Sequence, residues 1–265
     1  MPGFLVVNPR SGREQPAVNE LRRVAESRGV SVHVLAFGED PGEAARLHRD
    51  GPIGAAGGDG TLGPVAGVAL ERGVPFVCVP YGTRNHFARD AGIERRDPLG
   101  ALAAFDGTER AIDAGRAGDR VFLNNVSIGV YAQLVHRREH TGRRRELAVA
   151  AHALALALRA EPLDATVDGR PLPARIVLVA SNHYRLDLFS LGERNRLDEG
   201  LLHLYAADGI LPATWHEQAA ERFDLDFGGH RVPAAVDGEP VTLDTPVEFR
   251  IEPRKLRLLL PPSQE

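Results

Sequence analysis

The 265-residue chain has 36 acidic and 32 basic residues, a net charge of −4, and is 43% hydrophobic and 26% charged. Such a composition suits a soluble globular protein of one large or two modest domains, and it lacks the basic field that duplex nucleic acid would demand, so no nucleic-acid partner is expected. The single cysteine, Cys78, excludes an internal disulfide and fits a reducing cytoplasm. The start MPGFLVVNP shows no basic region followed by an apolar one, so no leader is expected. The most apolar helical segment, Leu147 to Leu158, is about a dozen residues long against the roughly 20 of a membrane span, so any membrane contact is expected to be peripheral, at the inner face.

Short apolar runs alternate with amphipathic segments from the start of the chain. FLVVN (4–8), VSVHVLAF (30–37), PIGAAGG (52–58) and PFVCVP (75–80) read as buried strands. Residues 17–29, with Val18, Leu21 and Val24/Ala25 on one face and Gly29 as stop, read as a helix, and so do 41–50 and 61–73. This alternation predicts a doubly wound parallel α/β domain. Near residue 110 the pattern changes. Residues 110–129 read as two strands about a turn, followed by a long helical stretch up to Arg159. The remainder is rich in strand signals: VDG turns at 167–169 and 236–238, and the runs RIVLVAS, LLHLYA, VEFRI and LRLLL. One helix is predicted over PATWHEQAAERF (212–223). The expected division is an α/β domain over 1–115, completed by a strand at 254–262, and a β-rich antiparallel domain over 116–253.

Gly58, Gly60 and Gly63 fit the G-x-G-x-x-G pattern, between a strand and a helix, where backbone amides face an anion. A dinucleotide site also asks for an acid at the end of the next strand, and that strand ends Val79-Pro80-Tyr81-Gly82. A Walker A loop needs a lysine, and none is near. What distinguishes GGDGT is its Asp59 and Thr61. A threonine hydroxyl can donate to phosphate, whereas an aspartate beside phosphate is repulsive unless a cation such as Mg²⁺ intervenes. The plain alternative is a tight turn whose aspartate caps the following helix. Two more polar loops, Asn8-Pro9-Arg10-Ser11-Gly12 and Pro80-Tyr81-Gly82-Thr83-Arg84-Asn85, also follow strands, and in a parallel sheet all three share the ligand-binding edge.

NPRSG (8–12), GGDGT (57–61), PYGTRNHFAR (80–89), FLNNVSIG (122–129), LDEGLLHL (197–204) and VDGE (236–239) together resemble the diacylglycerol kinase catalytic-domain family, related to sphingosine and ceramide kinases. The resemblance implies an α/β domain binding ATP and Mg²⁺, a β-rich domain on the acceptor side, return of the last strand to the first domain, and a lipid or other hydroxyl-bearing amphiphile as substrate. It places the nucleotide on Asn8, Ser11, Gly12, Gly57, Gly58, Gly60, Thr61, Gly82, Thr83 and Asn85. It makes Glu239 the general base with Asp237 beside it, Asp59 a catalytic group acting through the metal, and Asp59, Asp113 and Glu199 metal-associated. The NAD kinase family shares GGDGT, but its Asn-Glu pair and its G-S-T-A-Y-like stretch are missing.

Three departures stand out. His86 occupies a position where the family often has aspartate, and imidazole substitutes poorly for carboxylate near hydrated Mg²⁺. Glu199 stands where aspartate is usual, and 181–195 is bulkier and more charged than the family's glycine-rich segment. A nucleotide- or lipid-binding protein with impaired transfer is therefore the alternative function. The basic run 136–147, a local +3 beside an apolar stripe of Leu147, Leu154 and Leu158, fits either an anionic lipid surface or a core-packed helix. His136 and His140 read as a solvated helical face, and Trp215 as packing. Homodimerisation is left open, and no nucleophile elbow or zinc cluster is present.

Overall fold

The computed structural model describes residues 2–11, 16–129, 162–186, 191–207, 215–229 and 231–262. The chain forms two compact units: residues 1–114 with 193–199 and 252–265, and residues 115–192 with 200–251. Gly12, the basic run 136–147, His136, His140 and the apolar stripe up to Leu158 lie outside the described residues.

In the first unit the apolar runs form β1 (Phe4–Val7), β2 (Ser31–Val34), β3 (Ile53–Gly57) and β4 (Phe76–Pro80), all parallel in the order β2-β1-β3-β4. Every residue of β1, β3 and β4 is buried, as expected for strands covered on both faces. The connecting helices are α1 (Val18–Ser27), α2 (Pro41–Arg46) and α3 (Asp59–Arg72). From β1 the chain moves to one side to make β2, then crosses back to make β3 and β4. Right-handed crossovers therefore place α1 on one face and α2 and α3 on the other. The packing agrees: α2 rests on α3 and β1, while α1 rests on β2 and on α5 (Pro98–Ala101). The reversal leaves a topological switch point between β1 and β3, where open α/β sheets bind ligands. On α1, Leu21 and Ala25 are buried, the face its spacing predicts. Helix α3 ends at Gly73 (φ 63°), where Val74 N–H donates to the Ala69 carbonyl at 3.0 Å in a Schellman closure.

Two strands, β5 (Thr108–Ala117) and β18 (Val247–Leu260), run through both units. VEFRI and LRLLL, which read as separate strands, are the two ends of the 14-residue β18. Its far end pairs in parallel with β4, Leu258 opposite Phe76.

The second unit contains an antiparallel sheet ordered β14 (Trp215–Ala220), β13 (Leu202–Ala207), β10 (Ile176–Ser181), β7 (Asn125–Gly129), β16 (Arg231–Val236), β17 (Glu239–Asp244). A second layer is made by β15 (Arg222–Asp226), the start of β18, β8 (Thr166–Val167) and β9 (Arg170–Pro171), with β6 (Arg120–Phe122) against β5. Between these layers lie Phe122, Val126, Ile128, Val177, Val179, Leu204, Phe223, Leu225 and Phe249, the interdigitated core of a sandwich. A short ribbon joins β11 (Arg185–Leu186) to β12 (Leu191–Glu193). Of the helix predicted over 212–223, the described part, from Trp215 on, is strand instead: β14 pairs with β13, Tyr205 opposite Glu217, and β15 follows at once. Ala, Glu and Gln favour a helix in isolation, but a cross-strand partner overrides so weak a preference.

Candidate active site

Loop geometry at the carboxyl edge of the first unit follows from its glycines. A Cβ on Gly82 would lie 2.4 Å from the Gly58 α-carbon, so the β3 and β4 loops touch backbone to backbone. A Cβ on Gly57 would lie 2.5 Å from that of Thr61, so the turn into α3 also needs a glycine. The Asn8 side-chain amide donates to the Thr61 hydroxyl at 3.0 Å, bridging the loops on either side of the switch point. Ser11 N–H donates to the Asn8 carbonyl at 3.1 Å. Asn85, buried and in the left-handed region (φ 52°), closes its own loop: Gly82 N–H donates to its Oδ1 at 2.9 Å, and its Nδ2 donates to the Gly82 carbonyl at 3.0 Å. The Asn8–Thr61 bond and the Gly58–Gly82 contact thus bring the three predicted loops together at the positive start of α3.

Asp59 makes a connection that spacing does not reveal. Its Oδ2 and Oδ1 accept the amides of His86 at 3.1 Å and Phe87 at 2.9 Å, the first residues of α4 (His86–Asp90). It caps α4, not its own helix, and so fixes the GGDGT loop to the PYGTRN loop. Burial holds the His86 imidazole below its ordinary value, against the pull of the Asp59 carboxylate. At the other end of α4, Asp90 accepts Arg89 Nε and Arg194 Nε, each at 2.8 Å, with the Arg194 side chain fully buried. The sequence offers no signal for this pair. Asp113, also buried, accepts the Arg254 amide at 2.8 Å, at a point of β18 where φ is 52°. Its own N–H donates to the Leu197 carbonyl at 2.7 Å. Glu199 is exposed on the same 193–199 segment.

In the second unit, Asp237 and Gly238 form a two-residue turn with φ of 48° and 86°, and Val236 pairs with Glu239, the geometry of a type I′ hairpin. The Asp237 carboxylate accepts the amides of Leu123 at 2.8 Å, Asn124 at 2.7 Å and Asn125 at 3.1 Å. It fastens the FLNN segment to the turn, and Glu239 is exposed just beyond it. The other VDG turn differs: the Asp168 carboxylate accepts the Asp224 amide at 2.9 Å, and Arg170 follows.

Residues 2–117 match the diacylglycerol kinase catalytic domain family. A Pseudomonas putida protein named "Probable lipid kinase YegS-like" is 30% identical over 242 residues, covering 79% of this chain and 77% of the relative. The chain belongs to the diacylglycerol kinase catalytic-domain family. A Klebsiella pneumoniae protein of the same name is 24% identical over 301 residues, covering 99% of this chain and 97% of its own length. A solved structure described as a candidate diacylglycerol kinase from Bacillus anthracis strain Sterne shares the fold, with a TM-score of 0.72 at 19% identity and 98% and 97% coverage.

As a family member the protein is a phosphotransferase of the lipid-kinase type, and membership implies ATP as donor. Among the described residues no group of three His, Cys, Asp or Glu is arranged to hold a metal ion directly. An ionised carboxylate has about four acceptor positions. Asp59, with two backbone donors, keeps acceptor positions for water and fits a hydrated Mg²⁺ reached through its water shell. No helix among the described residues is long and apolar enough to cross a membrane.

Proposed function

We propose that this protein transfers the γ-phosphate of ATP to a hydroxyl of diacylglycerol or a related lipid. The observation that carries the reading is the Asn8–Thr61 bond across the switch point, beside the backbone contact of Gly58 and Gly82. Glycine-lined amides, a threonine hydroxyl and a helix start are the means by which proteins hold phosphate chains. On this reading Asn8, Ser11, Gly12, Gly57, Gly58, Gly60, Thr61, Gly82, Thr83 and Asn85 hold the nucleotide. Bound Mg²⁺ would offset the charge of the phosphates, with Asp59 and Asp113 accepting from its waters.

Glu239 accepts the proton of the lipid hydroxyl as that oxygen bonds to the γ-phosphorus and ADP departs. What supports it is the fixed backbone at the hairpin: Asp237, bound by three amides, is a positioning residue that leaves the neighbouring carboxylate exposed on a rigid turn. Names of the relatives from Pseudomonas putida and Klebsiella pneumoniae support a lipid acceptor, and diacylglycerol is the acceptor in the family's description. The test is steady-state transfer from ATP to diacylglycerol in mixed micelles. Glu239→Gln should lower kcat by about 10²- to 10⁴-fold, the usual contribution of a general base, with KM for ATP little changed. A variant with wild-type kcat would remove Glu239 from the role.

A further inference from the structure

Phe37 is 93% exposed, yet the backbone beneath it is pinned. Beyond β2, Leu35 N–H still donates to the Val7 carbonyl at 2.9 Å, so the chain stays beside the end of β1. Residues 36–39 then turn, with Gly38 at φ 78° and Glu39 N–H donating to the Ala36 carbonyl at 3.3 Å. The Glu39 carboxylate folds back over this turn, accepting the Ala36 amide at 2.8 Å and lying 2.8 Å from His33 Nε2. The Ala36 amide first, then His33, hold its carboxyl below the usual carboxylate value. A large apolar ring is thus presented to water from a fixed turn. The Arg10 guanidinium, in the NPRSG loop, lies over that ring at 4.7 Å from its centroid. Arg10 is itself anchored, its amide donating to Asn8 Oδ1 at 3.1 Å.

We propose that Phe37, backed by Arg10, is the platform on which the base of the nucleoside triphosphate stacks. The inference rests on the nucleotide reading of the three loops and extends it to the base. Strand order places the loops along one edge as β4, β3, β1, β2, about 4.8 Å apart. With the phosphates on the first three, the next stop along the edge is the Phe37 turn, where ribose and base extend. Arg10 covers one face of the ring and the other is open to a base. Base–aromatic stacking tolerates any base because each has a π face, and a neighbouring guanidinium adds a cation–π term. A purine, with more overlap, should be preferred over a pyrimidine.

Calorimetric titration with ATP and with inorganic tripolyphosphate, which has no base, tests the platform. Phe37→Ala should weaken ATP roughly 5- to 150-fold, the value of one stacked base, and leave tripolyphosphate affinity unchanged. Phe37→Trp should restore ATP binding. Because the side chain is exposed, thermal unfolding of both variants should match wild type. Wild-type ATP affinity in Phe37→Ala, or equal losses for ATP and tripolyphosphate, would overturn the platform while leaving the phosphate site standing. If the wild-type protein binds neither ligand, the nucleotide reading fails and the platform falls with it.

Discussion

A methyl group on Gly82 would lie 2.4 Å from a backbone atom of Gly58, which cannot swing aside as a side-chain end would. Gly82→Ala is therefore expected to destabilise the fold by about 1–3 kcal/mol, the usual cost of overpacking, and to separate the two loops on which ATP binding depends. Gly58→Ala meets its nearest atom at 3.7 Å, ordinary contact, and should unfold close to wild type. Chemical denaturation of the pair distinguishes them; equal stabilities would mean that the loops do not touch. Glu39 provides a pH test. Its folded pKa is lowered, so the unfolded chain binds more protons in the interval between the two values. Its contribution is present above the unfolded value near 4.5 and disappears as pH falls through the folded one. Glu39→Gln should flatten that part of the acid limb of a melting-temperature profile, and an unchanged profile would contradict the pinned turn. Cys78 is fully buried and its thiol is pushed up by burial first and then by the Asp59 charge. Thiol reagents should leave it unmodified until the protein unfolds.

At the scale of elements, α4 is held at both ends by residues distant in sequence: Asp59 at its amides and Arg194 at Asp90. Removing one partner of a buried ion pair costs about 3–5 kcal/mol when the other charge is left uncompensated, and less here because Arg89 stays 2.8 Å from Asp90. Arg194→Met should show a loss below that range by denaturation, and its loss should not simply add to that of Asp90→Leu in the double variant. Strictly additive losses would mean that the two side chains do not interact. Neither residue is marked in the sequence, because nothing in local spacing pairs positions 104 apart. Nor does spacing show Asp59 reaching across to α4; the residue types indicate a metal partner or a cap on the following helix, α3, whereas the carboxylate accepts from α4. What was legible was local. The runs forming β1, β3 and β4, the apolar face of α1 and both VDG turns each carry their signal within a few residues. β14 was misread because its residues prefer a helix and its strand state depends on β13. The continuity of β18 was hidden by Glu252-Pro253-Arg254, where Asp113 on another strand supports a left-handed residue.

Across the whole molecule, the first unit is discontinuous in sequence: 193–199 and 252–265 return to residues 1–114. Leu258 and Leu259 complete the sheet beside β4, and Asp113 receives the Arg254 amide while its own amide bonds to Leu197. A fragment ending at residue 114 lacks these partners and should show no cooperative thermal transition by circular dichroism, whereas a sharp transition would show that the returning segments are dispensable. The units are thus linked by chain passing both ways, and the GGDGT loop and the VDGE turn belong to different ones. Transfer of labelled γ-phosphate from ATP with Mg²⁺ to a total lipid extract tests the proposed phosphoryl transfer most directly. The intact chain would be compared with Asp59→Ala and Glu239→Ala. A labelled phospholipid is expected with the intact chain and none with either variant. ATP binding without any labelled lipid, or labelling that survives both substitutions, would contradict the proposed transfer.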